Sequence, residues 1–410
     1  MSLNRQDREK ILDKVVRLVE KKHFDPSLNG VNWQALVEGR RHRILDSAGQ
    51  EDFEHEVHGL VSELKTSHTG FFHQSSRSIP ARHAINATFQ RGSVGDTEKW
   101  IFQDVHEGGP AQAAGLQPGD VLLRVSGRDL VPPGAPVFKM GDRTEIVVLK
   151  RDSKEVALSL YVPPPRSKKR PISQPRPVSF SAVSAGIGVL KITMFPGLIG
   201  VDLARAIDDA VEQARQFDRL IVDLRGNTGG GIGGLRLMSY LTPDKVPVGF
   251  SLTRRRLVRG YDKERLPRFG RIPSRKAKLI WLALRYGFVD KSIVVVTEGL
   301  GPQPFHGRVV LLVNQHSASA AEIVAGFAAE NRLAKIVGTR TAGRLLSGSA
   351  FKVGQGYILG LPVANYLTWQ ETVLEGKGVT PDEEIQLSYG ALREGRDSQM
   401  ERALEVVQGL

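Results

Sequence analysis

The stretch that decides the fold is Val309-Val310-Leu311-Leu312-Val313-Asn314-Gln315-His316-Ser317-Ala318-Ser319-Ala320-Ala321-Glu322. Five consecutive branched apolar residues predict a strand buried on both faces. Small polar residues end it, and Ala320 to Arg332 reads as a helix, so strand runs almost directly into helix. Ser319-Ala320-Ala321-Glu322 has the form of a capping box. The same geometry would hold a serine hydroxyl at a helix N-terminus, where open N–H groups and the dipole favour developing negative charge. On this segment alone, capping is the simpler reading. Features elsewhere in the chain reverse it.

Working outward, apolar runs and helical patterns alternate. Strands are predicted at Gly188 to Ile192, Arg219 to Leu224, Val294 to Thr297 and Ile336 to Gly338. Helices are predicted at Leu198 to Gln216 and Gly233 to Leu241. This order predicts an α/β layered core. One of its strands continues as Asp223-Leu224-Arg225-Gly226-Asn227-Thr228-Gly229-Gly230-Gly231. Such glycines let the backbone turn its N–H groups toward an anion. The Lys-Ser/Thr ending of a phosphate loop is missing. An oxyanion site needs only N–H groups, and a plain strand–loop–helix turn needs nothing more.

Upstream the pattern changes twice. Residues 5 to 22, Trp33 to Ile44 and Phe53 to Leu64 carry apolar residues at helical spacing. Residues 84 to 163 hold short apolar runs (84–89, 100–105, 120–125, 144–149, 156–162) separated by Gly and Pro, a small β-rich domain. At its centre, Gly109-Pro110-Ala111 to Gly115-Leu116-Gln117-Pro118-Gly119-Asp120-Val121-Leu122 predicts a short helix, a turn and a strand. This pattern resembles a PDZ domain. Residues 164 to 180 form a Pro/basic linker.

The 410 residues are too many for one ordinary core. The absence of cysteine excludes disulfides, thiolate metal sites and a cysteine nucleophile. No apolar run is long enough to span a bilayer. The N-terminus lacks an apolar signal core, so the chain is cytoplasmic, or a leader preceded it and the destination is periplasmic or secreted. The net charge of +13 gathers partly in 166–170 and 254–256. Without a binding motif or interleaved aromatics, these runs read as solvated surface, and no nucleic-acid partner is expected. No ligand cluster or dinucleotide fingerprint with its acidic partner appears, so neither a metal nor an organic cofactor is expected.

Taken together, Asp223-Leu-Arg-Gly-Asn-Thr-Gly-Gly230, Ser317-Ala-Ser-Ala-Ala-Glu322, Gly338-Thr-Arg-Thr-Ala-Gly343 and Glu375-Gly-Lys-Gly-Val-Thr-Pro-Asp382 resemble the tail-specific, or C-terminal-processing, serine peptidases. The resemblance covers about residues 180 to 390, with the PDZ-like segment in the family's usual place upstream. It implies a helical N-terminal region (1–83), a PDZ-like domain (84–163), the linker (164–180) and an α/β, crotonase-like ββα-layered core (181–410) ending in a helix. It also implies Ser319 as nucleophile, with an oxyanion hole from the backbone N–H groups of Ala320 and of Gly229 or Gly230.

The commoner branch of that family pairs its serine with a lysine. Here the slot holds Arg344, which stays protonated and cannot act as a general base. Histidine is the alternative. His316 is near in sequence. However, Leu64-Lys-Thr-Ser-His-Thr-Gly70 resembles the Ser-His segment of the tricorn-like branch, which uses a Ser-His-Ser-Glu tetrad. The resemblance then implies His68 as base on Ser319, Ser67 as the accompanying hydroxyl and Glu375 as the acid, with Glu371 a nearby competitor. Adjacent residues on an extended strand face opposite ways, so Ser67 and His68 share a site only if the backbone bends.

The implied function is a serine endopeptidase acting on unfolded or tail-presented proteins through an acyl-enzyme. The alternative is an inactive peptidase fold that binds peptides or hydrophobic ligands. Protein or peptide substrates are the expected partners, and the family often assembles into homo-oligomers. The PDZ-like segment implies recognition of an extended chain end by strand addition. Its usual carboxylate loop is not visible in the corresponding stretch, about 95–101, so a gating or docking role is also open.

Overall fold

The computed structural model describes residues 3–76, 78–164, 176–197, 199–275, 277 and 291–410. Two compact units make up the chain, and each is assembled from separated segments.

One unit comprises Met1–Ser76, Val246–Thr297 and Gly343–Gly378. Its helices are Arg5–Lys22, Trp33–Leu45 and Gln50–Ser62. The Asn4 side chain caps the first by accepting the Asp7 N–H at 2.8 Å. Ile11, Leu12, Val15 and Val19 all lie on one buried face of that helix, as the 3.6-residue period requires. They join a core with Phe53, Val57, Phe71, Tyr357 and Leu359.

The sheet under these helices runs in the order Gly70–His73, Tyr357–Thr368, Pro247–Thr253, Val294–Val296, Arg268–Phe269, with Ser347–Gly354 also paired to Tyr357–Thr368. Phe71 stacks on Tyr357 with ring centroids 4.9 Å apart. Gly70 pairs with Gly360, so antiparallel pairing begins two residues after His68. The sequence reading assigned only Val294 to Thr297 of this sheet to a strand. Gly70–His73, Pro247–Thr253 and Arg268–Phe269 pair with partners distant in the chain, which local periodicity does not report, while Ser347–Gly354 pairs with the strand that follows it.

The other unit comprises Arg77–Lys245, Glu298–Ala342 and Val379–Leu410, and it holds two larger sheets. The first is antiparallel and runs in the order Ala87–Val94, Thr97–Val105, Val121–Val125, Arg143–Leu149, Glu155–Tyr161. Phe89, Phe102, Leu122, Ile146, Val148 and Leu160 form its core. The run at 84–89 is not one strand. Ala81–Ile85 is a helical turn, and the left-handed Asn86 (φ 54°) reverses the chain before Ala87–Val94 begins.

The second sheet runs in the order Val178–Ser184, Ile187–Ile192, Arg219–Asp223, Val309–Val313, Lys335–Gly338, Glu383–Glu384. Its first pair is antiparallel and the rest are parallel. Val178–Ser184 takes in the end of the span read as linker. Its serines and mostly exposed side chains suit an edge strand and give no buried-strand signal. The remainder of that linker reading, 165–175, lies outside the described residues, as does residue 198. The helix read from Leu198 runs over Val201–Ala214.

Gly234–Leu241, Ala320–Glu330 and Ser398–Gln408 complete the helices flanking this sheet. Ala403 and Val407 of the last pack on Ile221, Val310, Leu312 and Val337. Arg219–Asp223 and Val309–Val313 are adjacent and parallel, with Asp223 opposite Leu312. Their carboxyl ends therefore bring the glycine-rich loop and the Ser319 segment together, the place where open α/β sheets bind ligands.

Candidate active site

Val309–Val313 is buried at every position, and the chain leaves it through Asn314. Ser319 is half-buried at φ 54°, ψ −118°, a conformation that strains a non-glycine residue. The strain is held in place by hydrogen bonds. The Ser319 N–H donates to Glu322 Oε2 at 3.0 Å. Glu322 is fully buried, and its Oε1 accepts the Thr341 hydroxyl at 2.7 Å. Thr341 Oγ1 in turn accepts the Val379 N–H at 2.7 Å. Ser319 and Glu322 thus stand as the two ends of a capping box, with the Glu322 carboxylate on the Ser319 N–H.

The glycine-rich loop lies against this serine. A Cβ added to Gly229 would stand 2.5 Å from Ser319 Cβ and 2.9 Å from the Ala320 nitrogen. Asn227, fully buried, sets the loop: its Nδ2 donates to Ile192 O at 2.8 Å and its Oδ1 accepts the Gly229 N–H at 2.8 Å. Its backbone oxygen accepts the Ala318 N–H at 2.8 Å. Ser317 Oγ donates to Leu224 O at 2.7 Å, closing the two loops on each other. The Gly229 N–H is therefore engaged. Gly230 is bridged to Phe195, which donates to Gly229 O (2.9 Å) and accepts the Gly231 N–H (2.8 Å), and Ala320 opens its helix, where the first N–H groups have no intrahelical partner.

Arg225 stands in the glycine-rich motif, but the sequence reading gave it no role. It is 4% exposed and forks onto Asp223 through Nε and Nη2, both at 3.0 Å, while Nη1 reaches Asp397 at 2.8 Å. Burial alone would raise the Asp223 pKa, but the Arg225 and Lys191 charges outweigh it and hold the carboxyl below its usual range. The cluster ties the glycine-rich loop to the start of Ser398–Gln408. An arginine two residues beyond a strand-terminal aspartate was the available signal.

His68, Ser67 and Glu375 belong to the first unit, where they form a relay. His68 has φ 62°, and this is the bend that lets Ser67 and His68 face one site. Ser67 Oγ lies 2.9 Å from His68 Nδ1 and donates to Glu375 Oε2 at 2.9 Å. Glu375 also accepts the N–H groups of Ser67 (2.9 Å) and Leu345 (2.6 Å). Burial lowers the His68 pKa, Glu375 raises it and Arg344 lowers it, for a net fall. Gly348 gives the ring its room: an added Cβ would lie 3.3 Å from His68 Cδ2.

The competitors are placed elsewhere. The His316 Nε2 hydrogen bonds to Phe89 O at 2.8 Å, and Glu371 pairs with Lys263 at 3.1 Å.

Residues 186–385 match peptidase family S41. The chain is 25% identical to a carboxyl-terminal-processing protease of Synechocystis over 98% of its own length and 87% of that protein's. It is 23% identical to the chloroplastic carboxyl-terminal-processing peptidase 2 of Arabidopsis thaliana, over 91% of this chain and 68% of that one. Its fold matches the photosystem II D1 C-terminal processing protease at TM-score 0.58 and 19% identity, covering 93% and 94% of the two chains. The fold and these likenesses define a hydrolase, a serine-type peptidase. The match to family S41 spans 200 of the chain's 410 residues. No helix among the described residues is long and apolar enough to cross a membrane.

Proposed function

We propose that this peptidase is an endopeptidase in which His68, in place of a lysine, removes the proton of Ser319. The observation that carries the reading is the Ser67 hydroxyl between His68 Nδ1 and Glu375. A hydroxyl has one proton to give. Donated to the carboxylate, it leaves Ser67 Oγ to accept from His68 Nδ1–H. That tautomer puts the imidazole lone pair on Nε2, where a general base needs it. Arg344 supports the reading from the other side, because a guanidinium cannot take the proton.

Ser319 Oγ attacks the peptide carbonyl as its proton passes to His68 Nε2. The oxyanion of the tetrahedral intermediate is held by the N–H groups of Ala320 and Gly230. Gly229 shapes the hole, its own N–H being bound to Asn227. Collapse expels the amine, which takes the proton from His68, and leaves an acyl-Ser319. Water, deprotonated by the same imidazole, then releases the acid.

The processing relatives and the strand-rich 84–163 segment together favour substrates presented as extended chain ends or unfolded proteins. The test is cleavage of an unfolded protein alongside fluorophosphonate labelling. Both should map to Ser319 and vanish in Ser319→Ala. Cleavage surviving in Ser319→Ala refutes the nucleophile.

A further inference from the structure

Within the second unit, the antiparallel sheet is joined to both site loops by buried side chains. Asp104, on Thr97–Val105, is 5% exposed. Its Oδ2 accepts the Thr88 hydroxyl at 2.6 Å and the Asn314 Nδ2 at 3.2 Å. Asn314 is fully buried, and its Oδ1 accepts the N–H groups of Gly226 (3.1 Å) and His316 (3.0 Å). Gly226, at φ 70°, packs against the same carboxylate: an added Cβ would stand 3.0 Å from Asp104 Oδ2. Beside it, Gln315 donates to Gln103 Oε1 at 3.0 Å.

We propose that Asp104 is a positioning residue for hydrolysis: by fixing the orientation of the Asn314 carboxamide, it holds the glycine-rich loop and the Ser319 segment in mutual register. The proposal rests on the reading of Ser319 as nucleophile and Gly230 as oxyanion donor. A carboxamide has two faces of nearly equal shape, one accepting and one donating. An ionised carboxylate only accepts, so it allows a single orientation of Asn314, with Oδ1 toward Gly226 and His316. Burial opposes ionisation of Asp104, but Lys191, Arg225, His106 and the Thr88 hydrogen bond outweigh it. Without the carboxylate, the flipped amide would point donors at two N–H groups. The loops carrying Gly230 and Ser319 would then lose their common anchor.

A mere dock between sheet and core would alter stability and leave turnover alone. The positioning role predicts a split. In full-length Asp104→Ala, kcat on an unfolded protein should fall about tenfold or more with KM within about twofold, the scale of losing one charge-assisted hydrogen bond. Amide hydrogen exchange in 224–230 and 314–319 should accelerate in the same variant. Asp104→Asn, whose carboxamide can present either face to Asn314, should shift kcat and exchange in the same direction and by less. If Asp104→Ala does not fold, Thr88→Val takes its place and should shift kcat and exchange in the same direction.

Unchanged kcat, or unchanged exchange in both segments, would overturn the proposal. Should cleavage prove independent of Ser319, the functional reading fails by itself, and the exchange measurement still decides whether Asp104 orients Asn314.

Discussion

Ser67 Oγ lies 2.9 Å from Nδ1 of His68, the next residue in the chain. Two neighbouring side chains meet in this way because His68 takes a positive φ of 62°. The contact places a hydroxyl between the imidazole and Glu375, where a triad would have the carboxylate itself. Ser67→Ala should therefore leave His68 present but unoriented. We expect kcat to fall by about 10- to 100-fold, less than the roughly 100- to 10,000-fold of a whole general-base contribution, with KM little changed. Steady-state kinetics on an unfolded protein measures this, and an unaltered kcat contradicts the relay.

Glu375 and Arg344 pull the His68 pKa in opposite directions, so their removal should move the acid limb of the pH–rate profile oppositely. Glu375→Gln deletes the charge that favours imidazolium. The pKa falls, the base stays deprotonated to lower pH, and the acid limb of kcat/KM shifts down, together with a loss in rate. Arg344→Ala deletes a charge that disfavours imidazolium, and the limb shifts up while the chemistry persists. Profiles of kcat/KM for the three proteins test both signs.

The space beside Ser319 is closed to even a methyl group. Gly229→Ala would set its Cβ 2.5 Å from Ser319 Cβ, and Gly230→Ala would set its Cβ 2.0 Å from Phe195 O, both at a backbone φ unsuited to L side chains. Each should cut fluorophosphonate labelling by about 100-fold or more, the scale of losing an oxyanion donor. Labelling at the parent rate in either variant contradicts the proposed hole.

Arg225→Ala leaves Asp223 buried beside Lys191 alone, at 3.6 Å. Stranding a buried charge costs about 3–5 kcal/mol, and Lys191 keeps the loss near the lower figure. Urea titration should show it. Arg225→Lys should recover little, because an ammonium cannot reproduce the two-pronged contact.

Much of the core was legible because it is locally encoded. Val309–Val313 is read from five branched apolar residues in a row, and Ala320–Glu330 follows from the residues after it. Arg5–Lys22 follows from one apolar face. Tyr357–Thr368 was not legible. It pairs with Gly70–His73 and Pro247–Thr253 from far along the chain and with the neighbouring Ser347–Gly354, and Gly360 and Pro362 interrupt its apolar pattern. The site shows the same division. Ser319, Gly230, His68 and Glu375 sit in recognisable motifs, and the loss of lysine at 344 directs attention to histidine. The hydrogen bonds that hold Ser319 and Gly230, from Thr341 to Glu322, from Gly229 to Asn227 and from Asn314 to Asp104, join positions as far as 210 residues apart. No periodicity marks them.

Proton transfer from Ser319 to His68 is read most directly in the rate of Ser319 acylation by a fluorophosphonate at neutral pH in the parent and in His68→Ala. With the base removed and the serine intact, the rate should fall about 1,000-fold or more, as for loss of a triad member. A rate within about threefold of the parent would mean that some other group accepts the proton, contradicting the assignment of His68.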